Sequence, residues 1–152
     1  HMNPLLKKLN FKSQKSIHVL NSPIEFASQL SDFGMFLKVE DRLEKQNLEF
    51  VLAFVIKQEK INQIAPIVDK LMVEDGLFWF AYPKKSSKKY NCEFDRDNGW
   101  QVLGDMGYEP VRIVAIDEDW SALRFRKAKN IKTLTRDPGW IMSEEGKKKA
   151  KK

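Results

Sequence analysis

"LEFVLAFVIK" (residues 48–57) is apolar at every position except Glu49 and Lys57. A strand with one wet face alternates apolar and polar residues. This run does not alternate, so both of its faces must be covered, as in the middle of a parallel sheet. Working outward, "QEKINQIAPIVDKLM" (58–72) places Ile61, Ile64, Ala65, Val68, Leu71 and Met72 on one side of a helix. Pro66 interrupts it, so the helix kinks there or a second one starts with Pro66 in its first turn. "VEDG" then turns the chain into "LFWFAY" (77–82), a second unbroken apolar strand stopped by Pro83. Strand, helix and strand at this spacing form a parallel crossover unit.

The flanks extend the same alternation. "SIHVLNSP" (16–23) reads as a buried strand stopped by Ser-Pro. Residues 23–34 have helical spacing, with Ser22 as N-cap, Pro23 in the first turn and Gly34 at the end. "MFLKVE" (35–40) reads as a short strand and 41–47 as exposed polar chain. After the polar loop that follows Pro83, residues 96–107 read as a short helix capped by Asp97 or Asn98 and ended by Gly107. "EPVRIVAI" (109–116) and "SALRFRK" (121–127) are strands joined by the acidic connector "DEDW", which fits a hairpin. The expected fold is α/β, with a mostly parallel central sheet, helices on both faces and a C-terminal antiparallel hairpin. The expected organisation is a vector remnant and N-terminal arm over 1–4, one domain over 5–128, and a C-terminal extension over 129–152 with a disordered basic tail.

Composition narrows the function classes. The chain has 152 residues, 42% hydrophobic, a size and content that suit one globular domain. No apolar run is long enough to span a bilayer, and the start has no signal-peptide core. Cys92 is the single cysteine, so no intrachain disulfide forms, and a cytoplasmic setting is expected. The net charge is +6, but five lysines lie in the last six residues, 147–152, which leaves +1 for the rest. Nucleic acid is therefore expected only as a non-specific, salt-sensitive partner of the tail and of the Lys84–Lys89 loop.

The stretch 48–127 resembles the C-terminal half of class I methyltransferase-like Rossmann domains. "LEFVLAFV" is similar to their central strand. "VDKLMVEDGLFWFAYPK" is similar to their helix, glycine-leucine turn and strand, and "GYEPVRIVAIDEDWSALRFRK" to their final hairpin. A group of small uncharacterised bacterial proteins resembles the chain over roughly residues 5–128. It shares a similar "GLFWFAYPKKSSK" loop, the Trp-x-x-Leu-x-x-x-Gly helix at Trp100–Gly107 and the "DEDWSALRFR" hairpin. The resemblance implies a reduced Rossmann-like fold, and no activity carries over from that group. Methyltransferases place a glycine-rich turn after the first strand, where the backbone approaches S-adenosylmethionine. Here Asn21, Ser22 and Pro23 stand in that place, and proline lacks the N–H such a turn offers. Glu40 or Asp41 alone could take the part of the acid that holds the ribose. The stretch 21–48 has room for one strand–helix repeat, so at least one repeat is missing.

Other chemistries find little support. Zinc needs several Cys and His ligands, and the chain offers Cys92 and His18 apart from a terminal histidine. Asp117, Glu118 and Asp119 read as an exposed hairpin turn, so no metal is expected. No nucleophile elbow or phosphate loop is present, and His18, inside an apolar strand, reads as structural. Trp120, Arg124 and Arg126 are expected near one another on the last strand. Arginine stacked on tryptophan is the structural reading, and an acidic partner or a ligand would use the same face. In open α/β sheets, ligands bind outside the carboxyl ends of the strands. That rule selects Asn21, Ser22, Lys57, Lys84, Lys85, Ser86 and Ser87 as candidate ligand-binding residues. The expected function is a non-catalytic module for a small anionic ligand or a protein partner, with no cofactor. A reduced S-adenosylmethionine-dependent methyltransferase is the first alternative, and weak nucleic-acid association through the tail and loop the second.

Overall fold

The computed structural model describes residues 2–131. The lysine tail and the rest of the expected extension beyond Ile131 lie outside the described residues. Six strands form one sheet: β1 (Ser16–Leu20), β2 (Lys38–Glu40), β3 (Leu48–Phe54), β4 (Met72–Pro83), β5 (Tyr108–Ala115) and β6 (Trp120–Lys127), in the order β2–β1–β3–β4–β6–β5. The pairs β1–β2, β1–β3 and β3–β4 are parallel, and β4–β6 and β5–β6 are antiparallel. The fold is thus Rossmann-like α/β with an antiparallel pair closing one side. Between β1 and β3 the chain holds one helix and one strand, as its length requires.

The central strands are buried on both faces, as their unbroken apolar runs demand. One face packs Val51, Phe78, Phe80 and Phe125 under α3 (Gln58–Leu71) and α4 (Gln101–Asp105). The other packs Val19, Leu52, Trp79 and Ala122 under α1 (Pro4–Lys8) and α2 (Ala27–Gly34). The sequence pattern did not announce α1, because five residues are too few to show a period. Asn3 caps it by accepting from the N–H groups of Leu5 and Leu6. Leu5, Leu6 and Leu9 are buried, and the Trp79 indole donates to the Leu9 carbonyl at 3.1 Å. A buried indole N–H needs such a partner, so α1 and β4 fix each other.

Several local expectations change. Ser22 does not cap the helix after β1. Pro23 opens a 3₁₀ turn over Ile24–Phe26 first, and α2 begins at Ala27 without a side-chain cap. The second strand is only Lys38–Glu40, and Met35 and Phe36 before it are exposed. Pro66 neither ends nor divides α3, which is continuous from Gln58 to Leu71. No turn separates α3 from β4, which starts at Met72 and meets a register shift against β3 between Leu48 and Phe50. Residues 96–99 are loop, and α4 starts only at Gln101. Gly107 ends that segment at φ +91, a left-handed conformation that glycine adopts freely.

Candidate functional site

The parallel strands β1, β3 and β4 end at Leu20, Phe54 and Pro83. The chain leaves β1 toward β2 on one side and returns to β3 on the other. The gap beyond β1 and β3 is the topological switch point, where this fold class places ligands. In this protein its own side chains fill that gap. Glu25, in the 3₁₀ turn after β1, accepts from the Tyr90 hydroxyl at 2.7 Å and the Trp120 indole at 3.2 Å. Lys89 Nζ lies 3.3 Å from the other carboxylate oxygen. Trp120 packs edge-on against Phe54 at 5.0 Å and at a tilt against Tyr90 at 4.9 Å, and Phe26 meets Phe54 at 4.9 Å. The Glu25 carboxyl is held at about 2, well below its ordinary 4.5, first by the Tyr90 hydrogen bond and with help from Trp120 and Lys89, against the opposing effect of burial.

The segment from Lys84 to Gly99 runs across this edge as a strap. The Lys84 N–H donates to the Asp119 carbonyl at 2.8 Å, and the Ser87 hydroxyl donates to the Asp119 carboxylate at 2.8 Å. Farther on, the Glu93 N–H donates to the Ile56 carbonyl at 3.3 Å, and the Gln58 N–H at the start of α3 donates to Glu93 Oε2 at 3.0 Å. The Gln58 side-chain amide donates to the Gly99 carbonyl at 2.6 Å. A helix N-terminus with free N–H groups attracts anions. Here a carboxylate of the strap already serves the first turn of α3.

All seven sequence-selected residues stand along this carboxyl edge, but they do not converge. Asn21 is exposed at φ +56, Ser22 is half-buried, and Lys57 is exposed ahead of α3. Ser86 is exposed on the strap, and Ser87 is spent on Asp119 and on the N–H groups of Lys89 and Tyr90. Lys84 and Lys85 alone reach a common depression of about 300 Å³, lined also by Tyr82, Asp95, Arg96, Asp97, Ile113 and Ser121. Lys85 pairs with Asp95 at 3.0 Å, which holds the Asp95 carboxyl below its usual range. The Lys84 ammonium has no ion-pair partner among the described residues. Burial pushes the Tyr82 hydroxyl up to about 12, so it stays protonated and can donate a hydrogen bond. Three cations against two carboxylates leave the lining with one net positive charge.

Sequence reasoning missed Glu25, Tyr90, Tyr82 and Ser121. Glu25 and Tyr90 meet only because the strap crosses the sheet edge, and no local pattern marks them. Trp120 packs against Phe54 and Tyr90 rather than stacking on Arg124. The acidic connector is a turn: Asp117 accepts from the N–H groups of Asp119 and Trp120, both at 2.8 Å. Among the described residues no cluster of three or more His, Cys, Asp or Glu is placed to hold a metal ion. No helix among them is long and apolar enough to cross a membrane. His18 is buried beside Glu40, with Nε2 2.8 Å from Oε2, a short contact not aligned as a hydrogen bond. Glu40 is also paired with Lys45 at 3.1 Å and Lys38 at 3.6 Å.

No protein-family model and no curated protein matches the sequence. Solved structures similar in fold include a chain from Sulfolobus solfataricus assigned as a type 11 methyltransferase. It is 9% identical, with a TM-score of 0.45 over 81% of this chain and 77% of that one. A chain of a fibrillarin/Nop5p complex is 8% identical, with a TM-score of 0.43, and this chain spans only 61% of its length against 74% of its own. A protein of the NADB-Rossmann superfamily from Streptococcus agalactiae is 10% identical, with a TM-score of 0.42 over 84% of this chain and 69% of that one. At these identities the likeness concerns the fold and carries no activity.

Proposed function

We propose that the protein is a non-catalytic, Rossmann-like binding module that takes a small anionic ligand in the depression at the end of β4. Lys84 would supply the attracting charge, and the Tyr82 and Ser121 hydroxyls would supply hydrogen bonds. The observation that carries this reading is the division of the carboxyl edge. The switch-point gap is occupied by Glu25, Tyr90, Trp120 and Phe54, whereas the depression at Lys84 is open and holds an unpaired ammonium. A lysine is a point charge that favours phosphate or carboxylate without strict geometry. The filled gap also speaks against S-adenosylmethionine chemistry, because the adenosyl group would need that space. Half-buried Cys92, with its thiol pushed up by burial, fits a reducing, cytoplasmic setting.

A thermal-shift screen of nucleotides and carboxylate metabolites tests the reading, with Lys84→Ala as control. Ligand-dependent stabilisation that the variant loses is the expected result, and a flat screen would overturn the small-ligand assignment. Titration calorimetry with S-adenosylmethionine is expected to show no heat at near-millimolar ligand. Saturable heat would restore the methyltransferase reading.

A further inference from the structure

The antiparallel end of the sheet carries an arginine pair that the folded chain leaves unmatched. In the β5–β6 ladder Arg112 stands directly opposite Arg124, and Val114 opposite Ala122. Val114 and Ala122 pack on the face that carries α1 and α2, so both arginines project to that face, toward the amino end of β4. Like charges placed directly opposite in a ladder repel and destabilise the pair. Neither arginine has a hydrogen-bond or ion-pair partner among the described residues. Arg124 Nε is sealed from solvent and still unmatched. Native structures leave few buried donors unsatisfied, and a charged one costs most.

The other charged groups on this face make the contrast sharper. Arg126 is gripped by Asp75 through two bonds of 2.8 and 2.7 Å. That carboxylate is therefore committed. Glu109 stands opposite Arg126 in the ladder, not opposite Arg124, and it has interactions of its own. Burial first, then the neighbouring charge of Arg126, pulls Arg124 below the usual guanidinium range; Asp75 partly offsets this, and Arg112 adds a smaller push in the same direction as Arg126. Arg124 also lies across from Trp79 in the β4–β6 ladder, so its position is anchored by a fully buried neighbour.

We propose that Arg112 and Arg124 form a binding site for a phosphoryl group, on the opposite face of the sheet from the Lys84 depression. Two guanidinium groups on directly opposed residues can offer several N–H donors to one phosphate, whose oxygens match the guanidinium fork. A bound dianion would turn the repulsion between them into shared attraction. The site is independent of the function proposed above and stands or falls separately.

The test follows the Arg124 Nε–H signal by ¹H–¹⁵N NMR while inorganic phosphate is added, with sodium chloride at matched ionic strength as the control arm. A saturable shift with phosphate and none with chloride is expected. Arg112→Ala and Arg124→Gln should each weaken phosphate binding by about tenfold or more, the equivalent of one charged hydrogen bond lost. A parallel arm with adenosine monophosphate distinguishes a free phosphate from the phosphate of a nucleotide. Equal affinity for both means that only the phosphoryl group is read, and tighter nucleotide binding means that neighbouring residues add contacts. Arg112 is exposed, so its variant keeps the test alive if Arg124→Gln fails to fold. An Arg124 signal that does not move with phosphate, or moves equally with chloride, overturns the proposal, whatever happens at Lys84.

Discussion

Glu25 shows how much one side chain can organise at a sheet edge. Its carboxylate joins the turn after β1, the strap through Lys89 and Tyr90, and the start of β6 through Trp120. Replacing it with glutamine keeps the shape and removes the charge from these bonds. Glu25→Gln is expected to cost about 1–2 kcal/mol, a charged hydrogen bond discounted for partial solvent exposure, read as a lower urea midpoint. The pH response has a definite sign. The carboxyl sits at about 2 in the folded chain against an ordinary 4.5, so the unfolded chain takes up protons first as pH falls. Stability from this group is complete above about 4.5 and is lost as pH falls from there toward about 2. The wild type should therefore lose stability over that window more steeply than Glu25→Gln. Parallel curves for the two proteins would contradict the role given to Glu25. None of this was legible locally, because Tyr90 and Trp120 lie 65 and 95 residues further along the chain.

Helix α3 and its neighbours show where element-level patterns succeed and stop. Six apolar residues at helical spacing marked its buried side, and Ile61, Ile64, Ala65 and Val68 are indeed buried. The choice between a kink and two helices at Pro66 was open, since both obey the same local rules. Packing decided it: the exposed side of the helix bears Pro66, so the buried stripe continues past it unbroken. An interior proline still forfeits a backbone hydrogen bond. Pro66→Ala is expected to raise stability by about 1–3 kcal/mol, part of the helix penalty of proline being offset by the freer unfolded chain. An unchanged or lower denaturation midpoint would show that this helix already accommodates the ring. At the end of α4, Gly107 has φ +91 and open space where a Cβ would go. Gly107→Ala should therefore cost about 1 kcal/mol from backbone strain alone. Circular dichroism melting of that variant measures the cost without a confounding clash.

At the level of the whole molecule, β3 and β4 contribute to both cores at once. Phe78 and Phe80 face α3 and α4, while Leu77, Trp79 and Ala81 face α1 and α2. Neither core can dissolve without exposing strands that the other needs. Unfolding is expected to be a single transition, with Trp79 and Trp100, which report on opposite faces, changing fluorescence at the same denaturant concentration. Single-tryptophan variants would reveal two midpoints if the faces were independent. Charge also acts at this scale, since five of six net positive charges lie in residues 147–152. Removing those residues is expected to abolish any retention of DNA in a gel shift, and the loss should mirror that caused by added salt. The α/β class, the crossover from residue 48 to 82 and the closing hairpin were legible in the sequence, because burial on both faces and turn chemistry are written in neighbouring residues. Which strand end stays open was not. The filled gap beside Glu25, the depression at Lys84 and the unmatched Arg112–Arg124 pair arise from contacts between distant segments, and such contacts exist only once the sheet brings those segments together.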